Sequence, residues 1–115
     1  MKDMIKVVVA NPFAEPFECM VKNSLEQYYD IIGCDYVEAI YPFENSSVVG
    51  YIDEEGKLNG KLPNMIYFND VVCGTIIFLG TDDEGNDKSL TDEEIKMVKE
   101  HYKKNVLTDW FKAIV

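Results

Sequence analysis

The longest apolar run in the chain is Val71-Val72-Cys73-Gly74-Thr75-Ile76-Ile77-Phe78-Leu79. It is roughly half as long as a membrane-spanning helix, and its β-branched residues are typical of a buried strand. Because a nearly continuous apolar run makes both faces of a strand apolar, it suits the interior of a sheet. We therefore predict that residues 71–79 form the central strand of a β-sheet.

Four further segments rich in β-branched and aromatic residues predict the other strands. Proline, glycine and asparagine separate them, at positions where the chain must turn. Residues 65–68 suit either a short strand or a segment that braces the core, and both interpretations stay open. The predicted strands cover residues 4–10, 17–21, 34–41 and 48–52.

Two capping-box patterns, S-x-x-Q and T-x-x-E, predict the helices. In this motif the hydroxyl of the first residue and the side chain of the fourth residue each accept a hydrogen bond from a backbone N–H at the start of the helix. A glycine in the left-handed conformation ends the first helix, and the apolar pattern of the second helix extends toward the aromatic residues near the end of the sequence. The predicted helices begin after Ser24 and Thr91, end at Gly33 and no earlier than Lys104, and the second reaches Trp110-Phe111 if its pattern continues.

These elements predict an α+β fold. A chain of 115 residues suits one domain, so we expect a single domain over residues 1–115. We expect a mostly antiparallel sheet of about five strands with two helices packed on one face. Glu54-Glu55-Gly56-Lys57 is predicted to form a tight hairpin turn with Gly56 at positive φ, so that Lys57-Leu58 begins the return strand.

The chain is strongly acidic, with 21 Asp and Glu residues, 11 lysines, no arginine and a formal net charge of −10. Such a field repels phosphate backbones, so we expect no direct binding of nucleic acid. Two interpretations of the charge stay open. It either serves solubility or forms an acidic face that imitates nucleic acid or docks on a basic partner.

Metal and cofactor sites have little support in the sequence. The three cysteines include no C-x-x-C pair and the chain has one histidine, so we predict no zinc site, no other cofactor, and free thiols in a reducing cytoplasm. The loop from Asp82 has part of a calcium-loop pattern, but its sixth position is Asp87 instead of glycine. Without a signal or membrane-spanning pattern, we expect a soluble cytoplasmic protein with no membrane partner.

Catalysis also lacks a motif. Asp53, Glu54 and Glu55 could supply a general acid and a base, but neighbouring residues of a turn point in different directions. The single imidazole, His101, suits a helix rim better than a catalytic position. We therefore predict no catalytic residues, and a hydrolase that uses the central carboxylates is the weakest of three functional hypotheses.

Several motifs, taken in order along nearly the whole chain, resemble a known family. They are Asn23-Ser24-Leu25, Asp53-Glu54-Glu55-Gly56-Lys57-Leu58, Leu62-Pro63-Asn64, Gly74-Thr75 and Ser89-Leu90-Thr91. This pattern is similar to that of the family called domain of unknown function 3846, whose core reads N-E-E-G-K-L, then L-P-x-N and G-T. Here Asp53 stands where the family commonly has asparagine, and the L-P-N segment is one residue shorter. The resemblance implies carriage by bacterial phages, plasmids and other mobile elements, and no assigned activity.

The leading hypothesis is a non-catalytic accessory protein of a phage or mobile element, acting by host interaction or counter-defence. It would bind a host protein through an acidic surface centred on Asp53, Glu54 and Glu55. The alternative is a protein that binds or sequesters a small nucleotide-derived signal at a homo-oligomer interface. In that case polar side chains such as Tyr67 would hydrogen-bond or stack on the ligand. The candidate binding residues are Asp53, Glu54, Glu55, Gly56, Lys57, Asn64, Tyr67 and Thr75.

Overall fold

The computed structural model describes residues 3–106 and contains eight strands and two helices in that range. Among these residues, neither helix has both the length and the apolar character that crossing a membrane requires. In chain order the elements are β1 (Met4–Ala10), β2 (Phe17–Lys22), α1 (Leu25–Ile32), β3 (Val37–Ile40), β4 (Val48–Asp53), β5 (Pro63–Tyr67), β6 (Asp70–Cys73), β7 (Ile76–Thr81), β8 (Asp87–Lys88) and α2 (Asp92–Asn105).

The main sheet has the strand order β2-β1-β7-β4-β3, and the short β8 pairs with the end of β7. Every pairing in it is antiparallel. Strand β7 lies in the middle, and Ile76, Ile77, Phe78 and Leu79 are all completely buried. The prediction of an α+β fold with a mostly antiparallel sheet is therefore confirmed, and the central strand is formed by the second part of the predicted segment 71–79.

The predicted strand over residues 71–79 is, however, divided in two. Gly74 has a φ of +98°, a conformation that L side chains rarely adopt, and the chain changes direction there. Residues before it belong to β6, which pairs with β5 in a separate two-stranded sheet. Apolar character alone did not reveal this break, because both halves of the run are largely buried.

The two helices pack on opposite faces of the main sheet, so the prediction that both lie on one face is wrong. Ile77 and Leu79 of β7 share a core with Tyr28 and Ile32 of α1. The alternate residues of the same strand, Ile76 and Phe78, belong to the core that contains the apolar side of α2. Because successive side chains of a strand point to opposite faces, a strand that is apolar at every position needs cover on both.

The β5–β6 hairpin lies on the same face as α2, where Met65 and Val72 join its core. Its two-residue turn, Phe68-Asn69, has φ values of +47° and +63°. Two central residues at positive φ define the type I′ turn, whose twist matches that of paired strands. Of the two open interpretations of residues 65–68, the structure therefore shows a strand at 65–67 followed by the first residue of the turn.

Both helices begin at the predicted caps. The Ser24 hydroxyl accepts a hydrogen bond from the Gln27 N–H at 3.2 Å. The reciprocal bond, in which the Gln27 side chain would accept from the Ser24 N–H, is not formed, because that N–H donates to the Lys22 carbonyl. At α2 both halves of the capping box are present. Helix α2 ends at Asn105, and the predicted continuation to residues 110–111 lies outside the described range.

Replacing Thr91 with alanine should lower the free energy of unfolding by about 1 kcal/mol, because the Glu94 N–H loses its acceptor. The cap matters because α2 contributes Ile95, Val98 and Tyr102 to the core on its face of the sheet. Thr91→Ser, which keeps the hydroxyl, is the matched control and should remain close to wild type. Denaturant melts measure both variants, and an unchanged midpoint for Thr91→Ala would show that the cap does not stabilise this helix.

Candidate functional site

Strand β4 ends at Asp53, whose side chain is buried although it carries a charge. One carboxylate oxygen accepts a hydrogen bond from the Glu55 N–H at 2.8 Å. The other accepts from the Asn59 amide at 3.1 Å and lies 2.8 Å from the Lys61 ammonium. A buried carboxylate is tolerable only with such partners, so these three contacts fix the path of the chain after β4.

Lys61 connects this carboxylate to helix α1, which covers the face of the sheet on which Val37, the cross-strand partner of Asp53, lies. Its ammonium donates to the carbonyl oxygens of Ile32 at 2.9 Å and Gly33 at 2.7 Å, the last residue and the cap of that helix. A cation at a helix C-terminus neutralises carbonyls that have no partner in the helix and interacts favourably with the helix dipole. The Asp53–Lys61 ion pair therefore links β4, the following turn and α1.

These contacts determine the charge state of Asp53. Burial raises the pKa of its carboxyl group, but the hydrogen bonds from Lys61, the Glu55 N–H and Asn59 outweigh that effect, so the pKa is lowered. The group is consequently an ionised acceptor at neutral pH. A carboxyl with a lowered pKa and no free oxygen is poorly suited to donate a proton as a general acid.

The segment after Asp53 is not the predicted hairpin turn. It is a compact turn in which the Lys61 N–H donates to the Gly56 carbonyl and the Gly60 N–H donates to the Lys57 carbonyl, with Gly60 at a φ of +71°. This is the Schellman arrangement of a helix end. Gly56 is not among the residues at positive φ. It must be glycine because a Cβ there would lie 2.5 Å from the Cys73 carbonyl oxygen.

A groove lies beside this turn, with β3 and β4 on one side and the β5–β6 hairpin on the other. Its volume is about 480 Å³. Six of the eight predicted site residues line it. They are Asp53, Glu54, Glu55, Gly56, Lys57 and Tyr67. We call this feature the acidic groove.

The acidic groove has an apolar floor and a negatively charged rim. Buried Ile40, Ile52 and Val72 form the floor. Five carboxylates and one lysine are among the lining residues, and two of those carboxylates are neutralised: Asp53 by Lys61 and Asp70 by Lys57. Within residues 3–106, no ion pair is formed by the remaining three carboxylates, which are all exposed. They belong to Glu38, Glu54 and Glu55.

Tyr67 closes one end of the acidic groove. Its hydroxyl accepts a hydrogen bond of 3.0 Å from the Tyr41 N–H, which joins the hairpin to the end of β3. Its ring also makes an edge contact with the ring of Phe68, which is 80% exposed at the hairpin turn. The half-buried Tyr67 therefore belongs to the wall of the groove, and its hydroxyl already accepts a hydrogen bond from the protein itself.

The other two predicted site residues, Asn64 and Thr75, do not line the groove. Asn64 is the extra residue where the pairing of β5 with β6 is irregular, and it is completely buried. Its amide donates to the carbonyls of Ala10 at 2.9 Å and Gly74 at 2.7 Å, and its oxygen accepts from the Tyr102 hydroxyl. Thr75 donates to the Asn11 side chain at 2.7 Å. Both residues tie elements together.

Three important residues of this region were not predicted as site residues: Lys61, Glu38 and Asp70. The alternation of residues 36–41 does place Glu38 on the same strand face as Ile40, so that acid could have been found by asking which polar side chains flank the core. Lys61 and Asp70 give no comparable signal, because their ion pairs with Asp53 and Lys57 form only when the turn and the hairpin have folded.

The loop with the partial calcium pattern is braced by its own carboxylate. One oxygen of Asp82 accepts hydrogen bonds of 2.9 Å from the N–H groups of Glu84 and Asn86. No group of three His, Cys, Asp or Glu side chains in the described part of the chain is arranged to hold a metal ion. The three cysteines are free thiols.

The fold and the groove together define a small α+β protein with an acidic concave surface. The family described as "Domain of unknown function (DUF3846)" matches residues 5–103, and the chain belongs to that family. No curated protein and no solved structure shows significant similarity to the chain. The family assignment carries no activity, so function must be argued from the residues of the groove.

Replacing Lys61 with methionine should destabilise the protein by about 3 kcal/mol, because Asp53 would keep a buried charge without its counter-ion. Lys57→Met is the matched control, since the ion pair of Lys57 with Asp70 joins two exposed side chains and should matter little. Urea denaturation compares the two variants. Equal losses would contradict the assignment of Lys61 as the central structural cation.

Asp53 should also produce part of the acid sensitivity of the protein. Because its pKa is lower in the folded state, it contributes stability above its ordinary pKa of about 4 and loses that contribution as pH falls through the folded-state value. We expect Asp53→Asn to be less stable than wild type at neutral pH, with a difference that narrows in acid. Denaturant melts over a pH series measure this, and a constant difference would exclude the mechanism.

Proposed function

We propose that this protein is a non-catalytic binding protein whose acidic groove receives a positively charged segment of a partner protein. The observation that carries the proposal is the combination of a buried apolar floor with three exposed carboxylates that have no ion pair within residues 3–106. The floor offers apolar contact area, and the rim attracts and orients cationic side chains.

The charge of the groove favours a cationic partner over a nucleotide-derived ligand. A phosphate group would face the carboxylates of Glu38, Glu54 and Glu55. Among residues 3–106, Lys57 is the one lysine that lines the groove, and its ammonium is already paired with Asp70. Asn64, another residue expected to hydrogen-bond such a ligand, is bonded inside the core.

Hydrolysis by the central carboxylates receives less support from the same geometry. Asp53 uses both oxygens for structural contacts. Glu54 and Glu55 are exposed to solvent and make no side-chain hydrogen bond within residues 3–106 that would position them as an acid and a base. Three exposed acids around an apolar floor fit recognition better than proton transfer.

The biological setting completes the proposal. The family resemblance supports an accessory protein of a phage or other mobile element that engages a protein of its bacterial host, either as host interaction or as counter-defence. Three free thiols are compatible with the reducing cytoplasm of that host. In such a setting a strongly acidic protein competes for basic partners through long-range attraction, which speeds their association.

Neutralising the rim tests the proposal. Glu54→Gln/Glu55→Gln should weaken binding of a fluorescent oligolysine peptide by about fivefold at low salt, with a smaller effect at about 0.15 M salt. Both side chains are exposed and bear no hydrogen bond within residues 3–106, so the stability of the double variant should equal or slightly exceed that of wild type. Fluorescence anisotropy and denaturant melts measure the two effects.

The matched control is Asp83→Asn/Glu84→Gln, in the exposed loop between β7 and β8. Removing two carboxylates changes the formal net charge from −10 to −8 in both double variants, so net charge alone predicts equal effects. Equal loss of oligolysine binding in the two would overturn the groove as the binding surface. A marked loss of stability in Glu54→Gln/Glu55→Gln would show that these two side chains stabilise the turn.

A further inference from the structure

Strand β3 is an edge of the main sheet, and within the described residues it pairs with β4 alone. The Glu54 N–H donates to the Tyr36 carbonyl at 3.2 Å, which continues the β3–β4 ladder by one residue. In an antiparallel ladder the bonded positions alternate, so Glu38 and Ile40 also direct their N–H and C=O groups toward β4. Val37 and Ala39 must then direct theirs away from the sheet.

The position of Tyr41 supports this assignment. It has the same alternation as Val37 and Ala39, and its N–H is taken by a group outside the sheet, the Tyr67 hydroxyl. The edge therefore has one outward donor satisfied by the hairpin. The donors of Val37 and Ala39 make no backbone hydrogen bond to another strand within residues 3–106. An unpaired row of this kind is a template for an added strand.

The acidic groove adjoins this same edge, because Glu38 and Ile40 of β3 line it. The alternate residues, Val37 and Ala39, are half-buried and lie on the opposite face, toward α1. A strand added beside β3 would thus present every second side chain to the acidic rim. Its remaining side chains would lie next to Val37 and Ala39, where apolar residues suit best.

We infer that the partner segment binds as an added β-strand on β3, with cationic side chains at alternate positions toward the acidic groove and apolar ones between them. This inference rests on the proposed function and specifies the conformation and sequence pattern of the partner. Main-chain hydrogen bonds to Val37 and Ala39 supply register, and contacts with the rim acids select the charge pattern. The edge is only four residues long, so backbone pairing without charge complementarity is weak.

The sequence pattern is tested with two peptides of identical composition, one alternating lysine with valine and the other carrying the same residues as a lysine block and a valine block. In an added strand, all lysines of the alternating peptide lie on the face toward the acidic groove. The alternating peptide should therefore bind about tenfold more tightly than the block peptide. Equal affinities would overturn the inferred strand, since charge and composition are matched.

Backbone methylation tests the pairing without altering the protein. Methylating either the valine or the lysine amides of the alternating peptide removes the N–H groups of one edge. Strand addition predicts that one set abolishes binding and the other leaves it within about twofold: the valine set for antiparallel addition, the lysine set for parallel. If neither set, or both sets equally, changed the affinity, strand addition would be excluded.

A variant of the protein supplies the complementary test. Ala39→Pro removes an outward N–H without removing a bond of the β3–β4 ladder, so binding of the alternating peptide should fall at least about tenfold while the melting curve stays near wild type. If this variant fails to fold, the methylated peptides still decide the question. Retained affinity in a folded Ala39→Pro protein counts against pairing at this edge.

Failure of the inference and failure of the proposed function give different results. If the alternating and block peptides bind equally and both weaken in Glu54→Gln/Glu55→Gln, the groove binds cations but not as an added strand. If the alternating peptide binds with unchanged affinity to that double variant, the rim is not the binding surface and the proposed function falls as well.

Discussion

The ion pair between Asp53 and Lys61 is the contact on which the arrangement of the other elements depends. It joins the end of β4 to the C-terminus of α1, on the face of the main sheet that α1 covers. Because a lone buried carboxylate would be costly, the chain must bring Lys61 back to it, and the turn between them takes one compact form. That turn is one wall of the acidic groove, so the groove inherits its shape from a structural ion pair.

A second polar anchor holds the opposite wall. Asn64, the irregular residue of β5, bonds the end of β1, the carbonyl of Gly74 and the hydroxyl of Tyr102 on α2. All of its polar atoms are hydrogen-bonded and the side chain is completely buried, which favours one position of the hairpin over alternatives. The hairpin therefore stands at a fixed distance from β3 and β4. Between two anchored walls, the groove persists as a preformed cleft and does not depend on a partner to create it.

The carboxylates near the groove fall into two groups. Carboxylates with a structural purpose are paired or hydrogen-bonded, as at Asp53, whereas those on the rim remain free in the described part of the chain. Free like charges close together are slightly unfavourable for the isolated protein, and a cationic partner would relieve that repulsion. The unpaired edge of β3 lies beside these acids. Backbone donors and rim charges thus adjoin one another on a single surface, which is what recognition of an extended basic segment requires.

The amino-acid sequence by itself determined the α+β class, the approximate positions of β1 to β4 and of the central strand, both helix N-caps and six of the residues that line the groove. Local chemistry controls these features: alternation sets a strand, a hydroxyl three residues before a glutamate begins a helix, and acids beside glycine form an exposed turn. Tertiary structure alone decided that the helices cover opposite faces, that the apolar run breaks at Gly74, and that Asp53 is buried against Lys61. The pattern of β7 is apolar on both sides and so cannot say which helix covers which. Likewise, Asn64 takes partners from distant segments, and the contact of Asp53 with Lys61 depends on the conformation of the turn between them, so both exist only once the chain has folded.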